Sequence, residues 1–354
     1  MSYAQVSTLS LPRKDSSSAL IRTLIRFLLC VAAVLIALML DARAESCQLA
    51  PEMDANMKQQ LRTAAVQYFG YVAADNVQAV AQNSIPDIAN NTQGLTQLLQ
   101  ANAKDLAGAA AEPRSTFFLD ASGGDQVLQN AQFYCGVFNP SSDTKIGFSL
   151  NNLPAGKYGL VILDVKNSQK PYFYSFLLKQ EPNAWKIAAL FPRNRTIAGH
   201  DAPWYWQQAR NYKAQGKNHN AWFYYLIARE IASPLPFIGT TKLDSFYDEV
   251  NKSEPADLPE KNPITLTGPN GKQFQVTSIF VVPDDKQPIL NLVMKYNAAD
   301  ISDTAKTFID NKEAMKALLT KYPELREPFQ NLVARAVAPS GQDFGSMLTM
   351  KDIQ

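Results

Sequence analysis

Two spacings of hydrophobic residues alternate along the chain. From about residue 54 to 82, apolar side chains recur at steps of three and four, which predicts an amphipathic helix with a break near Asp75. A second helix is expected from Thr92 to Ala111, before Pro113. Between residues 116 and 192 the period changes to two, in aromatic and β-branched runs joined by short polar turns. This order predicts an α+β domain in which helices precede an antiparallel sheet.

The strand predicted from Tyr172 to Lys179 is apolar on both of its faces. Tyr174 and Phe176 point to one face, while Phe173 and Leu177 point to the other. A sheet of this kind has to be covered on both sides. We expect the helices on one face, and either another part of the chain or a ligand pocket on the other.

Short motifs at both ends of this region are similar to those of one superfamily. The opening helix contains Val66-Gln67-Tyr68-Phe69 followed by Asp75 and Val80, and the closing strand contains Trp185-Lys186-Ile187. Over residues 54–195 the chain therefore resembles the nuclear transport factor two-like superfamily, also called ketosteroid-isomerase-like or SnoaL-like. The resemblance implies a curved, cone-like antiparallel sheet that is covered by helices and encloses a pocket.

From Pro203 the spacing of apolar residues is helical again and follows a more specific pattern. Large, small and aromatic residues alternate at intervals that resemble the tetratricopeptide repeat, a helix-turn-helix unit of about 34 residues. These residues are Tyr205, Ala209, Tyr212, Gly216, Ala221, Tyr225 and Ala228. One such unit is recognisable, whereas free-standing arrays normally need about three. We therefore expect residues 203–232 to form a helical hairpin docked on its neighbours, followed by a helix from Lys242 to Val250.

The remaining chain predicts a second domain behind a linker. Three prolines between residues 253 and 263 indicate the linker. Beyond it the pattern predicts strands at 264–267, 273–282 and 289–296, helices at 302–321 and 323–333, and an edge strand at 344–350. The expected organisation is a cone-like domain at 45–198, the hairpin and its additional helix at 199–252, and a smaller α+β domain at 264–354.

Residues 1–44 have the pattern of an export signal. Basic residues up to Arg26 precede fourteen uncharged residues, Phe27 to Leu40, and Ala42-Arg43-Ala44 has the small-x-small form of a cleavage site. Fourteen residues are short for a bilayer span, which needs about 20. We expect cleavage after Ala44 and a periplasmic or secreted protein. The alternative is an uncleaved N-terminal segment that anchors the chain in a membrane.

Removing this leader changes both the charge and the cysteine count. The chain has 34 Lys and Arg and 32 Asp and Glu, of which five basic and two acidic residues lie in the leader, so the remainder has a net charge of −1. No basic excess is left to neutralise a phosphate backbone, and nucleic acid is not expected as a partner. Cys47 and Cys135 remain after Cys30 is lost. Two alternatives stay open, a Cys47–Cys135 disulfide or a buried free thiol at Cys135.

Residues that carry familiar catalytic chemistry are sparse. His200 and His219 are the only imidazoles, and both lie in polar turns where we expect them to be exposed to solvent. The sequence contains no HExxH motif, no CxxC pair and no cluster of His and Cys. We therefore expect neither a metal nor a cofactor.

An isomerase or hydrolase in the cone pocket would need a carboxylate base and a hydroxyl donor inside an apolar cavity. Asp164 is the candidate base because it alternates with apolar residues of its strand, and burial would raise the pKa of such a carboxyl. Tyr68 and Tyr174 are the candidate donors. The simpler interpretation is a solvated Asp164, since it lies two residues before a turn.

The densest aromatic cluster lies in the predicted helical hairpin and includes Trp204, Trp206, Trp222 and Tyr224. Rings on opposite faces of a helix cannot all be buried in one hairpin, so some must pack on neighbouring domains or on a partner. We predict an exported, non-catalytic binding or scaffolding protein that uses the cone pocket and these rings to bind a small apolar ligand or a protein. The alternatives are the isomerase or hydrolase and, if the leader is retained, a membrane-tethered assembly subunit.

Overall fold

The computed structural model describes residues 45–124, 126–136, 145–259, 262–284 and 286–354, and the predicted leader lies outside them. The N-terminal helices are α1 (Ala55–Ala73), α2 (Val77–Gln82), α3 (Pro86–Ala89) and α4 (Thr92–Leu106). The expected break falls at Asp75, which has a φ of 51°. The predicted end of the second helix at Ala111 is wrong. Gly108, with a φ of 73°, turns the chain after α4, and a strand begins at Ala110.

A five-stranded antiparallel sheet with the order β1-β2-β5-β6-β7 forms the centre of the N-terminal region. The strands of this region are β1 (Ser46–Leu49), β2 (Ala110–Asp120), β3 (Leu128–Cys135), β4 (Ile146–Leu153), β5 (Lys157–Lys166), β6 (Tyr172–Glu181) and β7 (Ala184–Asn194). The neighbours β5, β6 and β7 form an antiparallel meander. Pro113 lies in β2 where the register shifts, a position at which a sheet tolerates a residue without an N–H. A short hairpin of β8 (Thr196–Ile197) and β9 (His200–Asp201) follows.

Both faces of the five-stranded sheet are covered by the chain itself. Helices α1 to α4 pack on one face, where Leu61, Phe69 and Tyr174 belong to the same apolar core. A three-stranded sheet of the order β10-β4-β3, in which β10 is Ile238–Thr240, covers the other face. Phe133 and Leu160 belong to the core between the two sheets. A disulfide between Cys47 of β1 and Cys135 of β3 connects these two layers, with the Cα atoms 5.0 Å apart.

The region predicted as a helical hairpin with an additional helix contains three helices. They are α5 (Ala202–Ala214), α6 (Asn218–Ile231) and α7 (Thr241–Asn251). Gly216, with a φ of 74°, makes the turn between α5 and α6. Ala209 and Ala228 are fully buried in the seam between the helices, and small side chains at these positions let the helices approach closely.

The C-terminal sheet has five strands and one covering helix. Its elements are β11 (Ile264–Thr267), β12 (Gln273–Pro283), β13 (Leu290–Asn297), α8 (Thr304–Lys321), β14 (Asn331–Val337) and β15 (Asp343–Thr349). Strands β13 and β14 pair in parallel on either side of the α8 crossover, and the other pairs are antiparallel. The helix predicted at 323–333 is wrong. Residues Pro323–Arg326 form a 3-10 turn, and β14 follows it.

One apolar core extends across the segment that the prolines mark as a linker. Tyr225 of α6, Phe246 of α7 and Leu332 of β14 all belong to it. The rings of Phe223 and Phe329 meet edge to face with their centroids 5.9 Å apart. Helices α5 to α7 and the C-terminal sheet therefore contribute to one apolar core.

Candidate functional site

Asp164 is an ion-pair partner in this structure. Its two carboxylate oxygens lie 3.3 Å from Arg114 Nη1 and 3.2 Å from Arg195 Nη1. Both guanidinium groups also lie over the Phe173 ring, at 5.3 Å and 4.6 Å from its centroid. The Asp164 carboxylate therefore accepts one charge-assisted hydrogen bond from each of two arginines.

The sheet separates Asp164 from the tyrosines proposed to act with it. Asp164 pairs with Phe173 in the β5–β6 register and Leu163 pairs with Tyr174, so Asp164 and Tyr174 point to opposite faces. Tyr174 is packed beneath the helices, where burial raises its pKa. Tyr68 packs in the same core and its hydroxyl donates a hydrogen bond to the Trp185 carbonyl at 2.5 Å. Asp164, Tyr68 and Tyr174 thus do not form one site.

The four aromatic residues proposed for binding mostly pack within the protein. Tyr224 is 6% exposed and meets the rings of Tyr205 and Tyr212 edge to face. Trp204 stacks on His200 at 3.6 Å between ring centroids. Trp222 is half-buried against the shared core. Trp206 differs from these residues because it also lines an open groove.

We call this groove the Trp206 pocket. It has a volume of about 430 Å³ and lies where β2, α5 and α7 meet. Its lining includes Arg114, Pro203, Trp206, Lys242, Leu243 and Phe246. The centroids of the Trp206 and Phe246 rings are 4.8 Å apart, and the two rings form an aromatic wall. The helices that carry these rings begin at N-caps, Asp201 for α5 and Thr240 for α7.

The charges around the Trp206 pocket are unevenly compensated. Arg114 is paired with Asp164, and Arg210, which lies 4.4 Å over the Trp206 ring, is paired with Glu249. Hydrogen bonds from Arg210 lower the pKa of Glu249 to about 2. Lys242 is exposed, and no ion pair to it is found within the described ranges. The pocket thus combines an aromatic wall with one uncompensated positive charge.

His219 is not the solvent-exposed turn residue expected from the sequence. Its Nδ1 lies 2.5 Å from Glu324 Oε1 and its Nε2 lies 2.8 Å from Asp257 Oδ1. Burial would raise the pKa of Asp257, but the hydrogen bond and charge of His219 outweigh burial and lower it. The polar sequence around His219 predicted exposure because the acids that cover it are distant in the chain. His200, by contrast, is exposed as expected.

Within the part of the chain that the structure describes, no group of three or more His, Cys, Asp or Glu side chains is arranged to hold a metal ion. None of the described helices is long and apolar enough to cross a bilayer.

Comparisons of the chain with models of protein families, with curated proteins and with solved structures find no match. The similarity to the nuclear transport factor two-like superfamily and to the tetratricopeptide repeat therefore stays a prediction.

Of the Trp206 pocket, sequence reasoning singled out Trp206 alone. Phe246 and Lys242 belong to a helix that was predicted, but nothing in their spacing connects them with Arg114, which is more than a hundred residues earlier. The sequence signal for a site at this position is Arg114, a charged residue next to Pro113 at the start of an apolar run.

Proposed function

We propose that the protein is an exported, non-catalytic binding protein, and that it binds a small ligand with a planar apolar part and a negatively charged group in the Trp206 pocket. The observation that carries the proposal is the combination of the Trp206–Phe246 wall with an unpaired Lys242 in one groove. Apolar walls with a few well-placed polar groups are typical of small-molecule sites.

Two features support the non-catalytic part of the proposal. The sheet face expected to line a cone pocket packs against a second sheet, with Phe117 and Phe148 in edge-to-face contact at 4.9 Å. Asp164, the candidate base, is engaged by two arginines. A general base needs a free lone pair within reach of the substrate proton.

Export is supported by the leader pattern and by the cysteines. The pairing of Cys47 with Cys135 is of the kind that persists in oxidising compartments. An anionic apolar ligand is a stronger candidate than an uncharged one, because it adds an ion pair with the exposed Lys242 to the apolar contacts.

Titration calorimetry with 2-naphthoate and its neutral analogue 2-naphthamide tests the proposal. We expect 2-naphthoate to bind more tightly, since only the carboxylate pairs with Lys242. Lys242→Gln should weaken 2-naphthoate binding about fivefold, or about 1 kcal/mol, and leave 2-naphthamide unchanged. Leu243→Ala, which shortens the apolar wall, should weaken both.

The matched control is Lys252→Gln, which removes the same charge at the other end of the same helical region, outside the pocket lining. It should leave both affinities unchanged. Equal affinity for the two compounds, or an equal effect of Lys242→Gln and Lys252→Gln, would contradict the proposal.

A further inference from the structure

A second groove lies on the same side of the N-terminal sheet as the Trp206 pocket. We call it the Arg193 pocket. It has a volume of about 440 Å³ and is lined by residues that include Arg193 of β7, Arg229 and Glu230 of α6, the buried Ser233, and Tyr247 of α7. It shares no lining residue with the Trp206 pocket.

The two arginines of this pocket converge on one tyrosine. The Arg229 guanidinium carbon lies 5.5 Å from the centroid of the Tyr247 ring. Burial raises the pKa of Tyr247, and the positive charges of Arg229 and Arg193 oppose that rise. Arg193, Arg229 and Tyr247 thus line the same pocket.

The fold places Arg193 in this position. Its backbone pairs with Phe173, and Phe191, two residues earlier on the same face of β7, packs edge to face on Phe237 at 5.0 Å between centroids. The segment that follows α6 therefore lies against β7. It brings the end of α6, with Arg229, next to the end of the strand.

Arg193 and Arg229 lack the partners that neighbouring arginines have. On the same sheet face, Arg114 and Arg195 share Asp164. Across the described ranges, no carboxylate forms an ion pair with Arg193 or Arg229. The Arg193 Nε–H is shielded from solvent and has no hydrogen-bond partner within the same residues. A buried donor of this kind normally has a protein group, a water or an ion beside it.

We propose that the Arg193 pocket binds a phosphate group, which Arg193 and Arg229 hold from two sides while the Tyr247 hydroxyl donates a further hydrogen bond. Planar guanidinium groups match the geometry and charge of phosphate oxygens, and two of them balance a dianion. Glu230 opposes this binding, because its carboxylate lines the same pocket and repels an anion. The phosphate belongs either to inorganic phosphate or to a phosphate monoester.

Calorimetric titration of the full chain with inorganic phosphate, at constant ionic strength set by chloride, tests this site. We expect saturable binding with a Kd on the order of 1 mM. Arg193→Gln and Arg229→Gln should each weaken it about tenfold, and Glu230→Gln should tighten it several-fold. A parallel titration with glycerol 3-phosphate distinguishes the two sources: tighter binding of the ester identifies a monoester ligand, and equal or weaker binding identifies the free ion.

The control variant is Arg62→Gln on α1, which removes an arginine from the helix-covered side of the sheet. It should leave phosphate binding unchanged. The Glu230→Gln result separates lost binding from lost folding, because a folding defect cannot increase affinity. No saturable binding, or the same affinity in the wild type and in the Arg193, Arg229 and Glu230 variants, would overturn the proposal. Because the pockets share no lining residue, that failure would leave 2-naphthoate binding in the Trp206 pocket unaffected.

Discussion

The absence of a side chain at Gly159 lets helix α1 pack closely on the central sheet. Gly159 of β5 is buried directly beneath Leu61 of α1, and a Cβ atom at position 159 would overlap the Leu61 side chain. Glycine is therefore required there by a close approach of side chain to backbone. Gly70, in α1 itself, has open space around it.

We expect Gly159→Ala to lower the free energy of unfolding by about 1–3 kcal/mol, since overpacking in a close-packed core forces side chains and backbone to move. Gly70→Ala is the matched control. It should raise the stability by about 0.5–1 kcal/mol, because alanine is the better helix former at an exposed helical position. Urea unfolding of both variants measures the difference. A Gly159→Ala variant as stable as the wild type would contradict the close approach.

The Glu249 carboxylate makes the stability of helices α5 to α7 depend on pH. It accepts two hydrogen bonds from Arg210 and one from Tyr225. The Arg210 hydrogen bonds lower the pKa of Glu249 from 4.5 to about 2. A depressed pKa in the folded state means that the stabilising contribution is complete above pH 4.5 and is lost as the pH falls towards 2.

We therefore expect Glu249→Gln to be less stable than the wild type at neutral pH, with a difference that shrinks as the pH falls through this window. Unfolding by urea at a series of pH values measures it. Glu230→Gln, which changes an exposed carboxylate without an ion pair among the described residues, should run parallel to the wild type. A constant difference between Glu249→Gln and the wild type would contradict the assignment.

Among the secondary-structure elements, strands rich in β-branched and aromatic residues were predicted from the sequence, whereas a strand rich in helix-forming residues was not. The strands β5, β6 and β7 lie within the region predicted as strands, 116–192, except for the last two residues of β7, because they are rich in β-branched and aromatic residues. Strand β14 was missed because Ala334, Arg335 and Ala336 are good helix formers. Every second residue of β14 is buried, and pairing with β13 on one side and β15 on the other decided the outcome.

The Cys47–Cys135 disulfide acts between elements, because it joins β1 of one sheet to β3 of the other. Replacing both cysteines by serine should lower the free energy of unfolding by about 2–5 kcal/mol, since the unfolded chain loses a constraint over 88 residues. Urea unfolding with and without reductant checks this. The reductant should lower the free energy of unfolding of the wild type and leave that of the double variant unchanged. An equal effect of reductant on both proteins would show that the disulfide does not form.

In the whole molecule, the apolar core does not end at the proline-rich segment that was predicted as a domain boundary. The sequence placed a boundary at 253–263, yet residues on both sides of it contribute to one core. Asp257, inside this segment, contacts His219 through its side chain and accepts a hydrogen bond from the Tyr322 hydroxyl through its carbonyl. Such contacts between distant positions carry no signal in local composition, which is why the site residues Lys242 and Phe246 were also not predicted.

Leu332→Ala, in a fully buried position of β14, should destabilise α6 as well as the C-terminal sheet by about 2–5 kcal/mol. Hydrogen exchange of backbone amides measures both regions in one experiment. Leu163→Ala in the N-terminal core is the matched control and should act mainly on the N-terminal sheet and helices. Unchanged protection of α6 in Leu332→Ala would mean that the two regions fold independently.

Binding of an apolar anion in the Trp206 pocket can be followed directly on Trp206. The chain has four tryptophans, so its indole N–H groups give four assignable signals in a nitrogen–proton NMR spectrum. On titration with 2-naphthoate, we expect a saturable shift of the Trp206 signal and no shift of the Trp185 signal, since Trp185 is packed beneath the N-terminal helices. A Trp206 signal that stays unchanged at saturating 2-naphthoate would contradict it.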